Sequence, residues 1–137
     1  MCIRDSSRSC LDIWPRSRRI LVIEDEPFIA MGLEQVLPKL GYEVVGVASY
    51  LREALAKAEA GGYDLVVLDV NLGGELSYRV ADLLLSRGTP FVFCTAYADV
   101  AFGRYQNVPV LQKPFEKKAL ARAIEEALAG KQPSRVA

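Results

Sequence analysis

Between Arg19 and Gly130 the apolar positions fall into short unbroken runs separated by stretches with a helical period. Ile20-Leu21-Val22-Ile23, Leu65-Val66-Val67-Leu68 and Phe91-Val92-Phe93-Cys94 are continuous, as in strands that helices cover on both faces. They predict strands over about 19–24 and 64–69 and a fourth strand opening at Pro90. A weaker run over about 43–48, carrying Glu43 and Gly46, reads as an edge strand. A last strand is predicted over 108–112.

The intervening segments read as helices. Pro27 suits a first helical turn, where its missing N–H costs nothing. Ile29, Leu33, Val36, Leu37 and Leu40 then share a face before Gly41. Pro38 predicts a bent or shortened end to that helix. Ser49 is placed to cap a second helix over about 50–60, stopped by Gly61-Gly62. Gly73-Gly74 read as a turn before a third helix over about 76–87, with Leu76, Val80, Leu83 and Leu84 inward. The Gly-interrupted segment 98–105 makes a poor fourth helix. The helix over about 116–129 turns Leu120, Ile124, Ala127 and Leu128 inward. Strand–helix alternation with short connections implies right-handed βαβ units, hence a doubly wound five-stranded parallel α/β sheet of flavodoxin-like order.

Residues 1–17 have no period of 2 or 3.6 and are rich in Ser and Arg. The opening Met1–Ser6 resembles a translated sequencing-adapter fragment, and the segment is expected to be a disordered or artefactual leader outside the fold. The expected domain is 18–130, followed by a short tail over 131–137.

Composition narrows the classes of function. Lys+Arg and Asp+Glu balance at 17 each, which argues against a nucleic-acid footprint, usually clearly basic. The chain has no histidine, so histidine acid–base catalysis, metal ligation and phosphodonation are excluded. Cys2, Cys10 and Cys94 lack metal-ligand spacing, and Cys94 reads as a small core residue. No apolar run approaches the roughly 18 residues of a membrane span. A soluble, cytoplasmic protein without membrane or nucleic-acid partners is the expectation.

The candidate chemistry lies where the predicted strands end. The first runs into Glu24-Asp25-Glu26, the third into Asp69, the fourth into Thr95 and the last into Lys113-Pro114-Phe115. In a parallel sheet these ends converge on the edge where open α/β sheets bind ligands. Two carboxylates about 4 Å apart repel by roughly 4 kcal/mol at an effective dielectric near 20. A cation relieves that repulsion, and hard oxygen donors favour Mg²⁺. Asp69 is then the central candidate for a nucleophilic carboxylate, with the Lys113 ammonium and Thr95 hydroxyl facing a transferred phosphoryl group. Taken singly, the acids could merely cap a helix and Lys113 could be a solvated lysine. Their joint placement at four strand ends is what carries the reading.

In this combination the chain resembles a receiver domain of bacterial two-component response regulators over about Arg19–Gly130. The residues that carry the likeness are Val22-Ile23-Glu24-Asp25-Glu26, Val66-Val67-Leu68-Asp69, Thr95-Ala96 and Lys113-Pro114-Phe115. The resemblance implies Asp69 as phosphoacceptor, Asp25 as direct Mg²⁺ ligand, Glu24 as a ligand through water and the Asn71 backbone carbonyl as a further ligand. It also implies Thr95, Ala96 and Lys113 around the phosphoryl group and a cis Lys113-Pro114 bond. A histidine kinase or histidine phosphotransfer protein would be the donor, with output through protein contacts and no enzymatic activity beyond the domain's own phosphorylation and dephosphorylation. Two departures stand out. The usual aromatic switch position holds Val110, and the stretch from Thr95 to Lys113 is short. With Phe93-Cys94-Thr95-Ala96-Tyr97, these features are similar to a divergent single-domain group with an F-x-T-G-Y-type strand, Ala96 replacing the glycine. Conformational coupling is then expected to involve Tyr97, Val110 and Pro114. The alternatives are a Toprim-like phosphotransferase or nuclease using Glu24 and Asp69-Val70-Asn71, a dehalogenase-type phosphatase, and a receiver-shaped module that is never phosphorylated. The first two are disfavoured by Asn71, where an aspartate would be wanted.

Deleting residues 1–17 is expected to leave the melting temperature within about 4 °C, or roughly 1 kcal/mol for a domain of this size. A larger drop in thermal denaturation would mean that Ile13-Trp14 docks on the fold.

Overall fold

The computed structural model describes residues 17–96 and 105–130. In chain order, the described elements are β1 (Arg18–Ile23), α1 (Pro27–Lys39), β2 (Tyr42–Ala48), α2 (Leu51–Ala60), β3 (Leu65–Asp69), β4 (Asn71–Leu72), β5 (Glu75–Leu76), α3 (Tyr78–Ser86), β6 (Phe91–Thr95), β7 (Val110–Gln112) and α4 (Lys117–Ala129). Five strands form one sheet in the order β2-β1-β3-β6-β7, every pair parallel. Counting those five alone, this is the 2-1-3-4-5 order of flavodoxin-like folds, whose switch point lies between β1 and β3.

The continuous apolar runs divide by strict alternation. Leu21 and Ile23, Val66 and Leu68, and Phe91 and Phe93 pack on one face with Ala54, Ala58, Val80 and Leu84 of α2 and α3. Ile20 and Val22, Leu65 and Val67, and Val92 and Cys94 pack on the other with Leu33, Leu37, Leu120 and Ile124 of α1 and α4. A period of two on a strand buried on both faces yields an uninterrupted hydrophobic string. Cys94 is fully buried, as its setting in the string implies. Burial also pushes its thiol pKa upward, which keeps it in the unreactive protonated form.

Several local expectations need correction. The third helix begins at Tyr78, not near residue 76. Asn71–Leu72 pairs antiparallel with Glu75–Leu76 around Gly73 (φ 60°) and Gly74 (φ 96°). Two consecutive left-handed residues favour a two-residue hairpin over a helix start. The hairpin buries Leu72 and leaves Leu76 exposed, so Leu76 is not a core residue. Ser49 does not cap α2 either. Tyr50 occupies the cap position without a side-chain bond, and the Ser49 N–H donates to Glu53 Oε1 at 3.0 Å. The acid in the first turn thus accepts the N–H of the serine itself, the reverse of the bond expected. Pro27 opens α1 as expected. Just past Pro38 the chain tightens, with Leu40 N–H donating to Leu37 O at 3.0 Å and Gly41 N–H to Pro38 O at 3.0 Å. The expected poor helix over 98–105 and residues 131–137 fall, except for Tyr105, outside the described residues. So do residues 1–16, Cys2 and Cys10 among them. Among the described residues no helix is long and apolar enough to cross a membrane.

The entry to β3 is tied to β1 by Asp64. The Arg19 N–H donates to Asp64 Oδ2 at 2.7 Å, and Arg19 Nε lies 3.4 Å from the same oxygen. That backbone bond is the main reason Asp64 titrates below its ordinary value near 3.8. A carboxylate lowered in the fold adds stability above its unfolded pKa and loses it as pH falls through the folded one. Asp64→Asn is therefore expected to destabilise near pH 7 and to cost much less at about pH 2. Urea unfolding at the two pH values checks this, and equal losses would contradict it.

Candidate functional site

The carboxyl ends of β1, β3, β6 and β7 deliver the polar groups to one open cleft of about 460 Å³, lined by Asp25, Asp69, Asn71, Thr95, Ala96 and Lys113 among others. Glu24 follows β1 directly and is almost wholly buried, held by its own N–H donating to Ala48 O at 2.9 Å. Asp69 is the last residue of β3, and Thr95 the last of β6; both are buried. Lys113 follows β7, and its N–H donates to Thr95 O at 2.7 Å. The Lys113-Pro114 bond is cis, as the resemblance implies.

Lys113 is the centre of the charge arrangement. Its Nζ donates to Glu24 Oε2 at 3.0 Å, Asp69 Oδ2 at 3.0 Å and Glu26 Oε1 at 3.3 Å. An ammonium has three N–H donors, and here each meets a carboxylate. Burial pulls the Lys113 pKa down, but Glu24 and Asp69 outweigh it and the net shift is upward. The ammonium stays charged.

Asp69 is pulled both ways. Burial raises its pKa, and the Glu24 carboxylate raises it further; Lys113 opposes both without cancelling them, so it lies well above the usual carboxylate range. Its oxygens are also fixed in direction. Oδ1 accepts the Asn71 N–H at 3.2 Å, while Oδ2 faces Lys113.

A hard divalent cation fits these residues. Ligand oxygens of Glu24, Asp25 and Asp69 lie within 4.8 Å of one another. Among the described residues the buried Glu24 Oε1 has no hydrogen-bond partner, and a buried carboxylate oxygen left without one is costly. The donor set is all oxygen, which suits Mg²⁺ over softer metals. Asp25 Oδ2 also accepts the Gly73 N–H at 2.9 Å, so the β4–β5 hairpin holds the one more exposed acid in place. The Asn71 side chain is committed to that hairpin, its Oδ1 accepting the Gly74 N–H at 2.7 Å.

The structure thus brings together Glu24, Asp25, Asp69, Asn71, Thr95, Ala96, Lys113 and Pro114. Val110 stands apart, an exposed edge-strand residue paired with Phe93 in register. Tyr97 lies outside the described residues. Three participants escaped sequence reasoning. Glu26 was visible only as part of an acidic run, because its partner Lys113 is 87 positions away. Ser77 is fully buried and its Oγ donates to the Asp69 carbonyl at 2.6 Å, bracing the backbone that carries the Asp69 side chain. Starting the helix too early hid this serine inside it. Tyr105 is buried, donating to Asp82 Oδ1 at 2.5 Å and stacked on Tyr78 with centroids 5.4 Å apart. Its ring also meets Phe93 edge-on at 5.5 Å. A tyrosine in a Gly-interrupted segment gave no periodic signal of burial.

Comparison with known proteins agrees with this geometry. The response regulator receiver domain family matches residues 20–125, and the chain belongs to that family. It is 36% identical over 121 residues to the phyllosphere-induced regulator PhyR of Methylorubrum extorquens, covering 85% of this chain and 45% of PhyR. It is 37% identical over 116 residues to the transcriptional regulatory protein PdtaR of Mycobacterium tuberculosis, covering 81% of this chain and 57% of PdtaR. The chain therefore spans about half the length of these curated relatives. The solution structure of SdrG from Sphingomonas melonis Fr1 superposes with a TM-score of 0.75 at 44% identity, over 84% of this chain and 99% of SdrG. The fold is the flavodoxin-like receiver fold expected, and the likeness lends no support to a nuclease, a phosphatase or an unphosphorylated binding module.

The state of Asp69 gives a stability prediction. A carboxylate raised in the fold is favoured there in its neutral form, so ionisation removes stability as pH climbs above the unfolded value. In metal-free buffer at about pH 7, Asp69→Asn is expected to raise the melting temperature by about 3–6 °C. Adding Mg²⁺ should stabilise the wild type more than the variant. A variant melting below the metal-free wild type would contradict the assignment of net repulsion.

Proposed function

We propose that the chain is the receiver of a two-component phosphorelay, with residues 18–130 as the working unit and Asp69 as phosphoacceptor. A histidine kinase or histidine phosphotransfer protein is the donor class, and output runs through protein contacts. The carrying observation is the Lys113 ammonium, 3.0 Å from Asp69 Oδ2 at the end of the central strand. It holds the carboxylate before transfer and lies ready for a phosphoryl oxygen afterwards. In the transfer, a carboxylate oxygen of Asp69 forms the new O–P bond as the bond to the donor's leaving atom breaks. That leaving group departs with the electron pair.

Glu24, Asp25, Asp69 and the Asn71 backbone carbonyl are the groups that would hold Mg²⁺. The ion supplies positive charge that offsets the acids and the phosphoryl oxygens. Thr95 and the Ala96 backbone flank the phosphoryl position, since they end β6 beside Asp69. Conformational coupling is assigned to Tyr97, Val110 and Pro114. Val110 carries no ring, so its share is limited to the movement of β7 itself.

Incubation with acetyl phosphate and Mg²⁺, read by intact mass, is expected to add one phosphoryl group. Asp69→Asn and EDTA should each abolish it. Undiminished labelling of the variant would overturn the assignment of Asp69.

A further inference from the structure

Glu26 has no part in the scheme above, yet it reaches the same ammonium. Its Oε1 lies 3.3 Å from Lys113 Nζ, and its side chain is 57% exposed where those of Glu24 and Asp69 are 1% and 5%. The residue lines the cleft. Its backbone position is fixed from both sides. Its N–H donates to Glu24 Oε2 at 3.1 Å, and Pro27 restricts it to the extended conformation it adopts, φ −86° and ψ 115°. The carboxylate is thus held over the cleft mouth, in solvent, with its charge only partly answered by an ammonium shared three ways.

We infer that Glu26 is a specificity-determining residue, a fixed negative charge that slows dianionic small-molecule phosphodonors and so favours phosphoryl groups presented by a protein. This rests on Asp69 being the acceptor. A free donor such as acetyl phosphate brings two negative charges to a mouth that carries Glu26 and Asp25. It must also compete with Glu26 for the Lys113 ammonium. A donor protein can offset Glu26 with basic groups of its own surface as it docks; a small anion cannot. Because the effect is electrostatic and exposed, it must scale with donor charge and weaken with salt.

The test compares wild type, Glu26→Gln and Glu26→Asp, each with Mg²⁺, using acetyl phosphate (a dianion) and phosphoramidate (net one negative charge). Initial rates come from intact mass. With acetyl phosphate the transferred group leaves acetate carrying the bonding pair; with phosphoramidate it leaves ammonia, the nitrogen already bearing its proton. Glu26→Gln is expected to raise the acetyl phosphate rate constant about five- to tenfold at low salt and the phosphoramidate one about two- to threefold. Both gains should shrink toward parity at about 1 M salt. Glu26→Asp, which keeps the charge, should stay near wild type. Beryllofluoride binding, followed by fluorine NMR, should tighten in Glu26→Gln. Equal gains for the two donors, no gain, salt-independent gains, or Glu26→Asp behaving like Glu26→Gln would overturn the inference. If the wild type itself takes no phosphoryl group from either donor, the Asp69 reading fails first, a result distinguishable from all of these.

Discussion

Lys113 Nζ is bonded at once to Glu24, Asp69 and Glu26, acids that come from the ends of two other strands. This ammonium is the constraint on which the site depends. Without it, two buried carboxylates would face each other in a medium where like charges repel by several kcal/mol. With it, the repulsion is reduced but not removed, since Asp69 remains raised by burial and by Glu24. The fold therefore holds a charge arrangement that protonation or a further cation can relieve. Glu24 Oε1, without a hydrogen-bond partner among the described residues, points the same way.

Such an arrangement can persist only on a rigid frame. The sheet supplies it: β3 is buried along its whole length, between β1 and β6, with helices on both sides. Backbone bonds then lock the ends. Lys113 N–H is bonded to Thr95 O, Val70 N–H to Cys94 O, and Ser77 Oγ to the Asp69 carbonyl. The acids cannot move apart to relieve their repulsion, so relief has to come from protonation, metal or a bound group. Well-packed cores elsewhere in the domain offset the cost of keeping this edge charged.

How much of this could be read from the chain follows from the range of each signal. The three buried strands were legible because each is an unbroken apolar string, and the acids and Thr95 were legible because they close those strings, with Lys113 closing the weaker last run. The β4–β5 hairpin was misread because Gly73-Gly74 mark a turn without saying whether a helix or a strand follows. Leu76 then looked like the first inward residue of a helix. Ser49 was a good local candidate for a cap, but its backbone N–H is taken by Glu53 and no side chain caps α2, an outcome that propensity does not resolve. Glu26 and Ser77 were missed for a different reason. Their partners lie far off in sequence or on the backbone, and only the assembled sheet edge brings them together.

The aromatic residues illustrate the same limit and say something about the family pattern. Val110 occupies the position where receivers usually carry a ring, and it is exposed on the edge strand. The sheet face below is not short of rings. Tyr105 stacks on Tyr78 and meets Phe93, which itself packs edge-on to Phe91 at 5.2 Å. Phe93 pairs directly with Val110 and lies two residues before Thr95, on the same face of β6. Aromatic contacts of this kind are directional, and Tyr105 is further pinned by its bond to Asp82. A large, oriented side chain against Phe93 of β6 is therefore present, supplied by the segment before β7 and not by β7. Replacing a ring on the edge by a buried cluster exchanges a side chain free to turn toward solvent for one fixed among three others, Tyr78, Phe93 and Asp82.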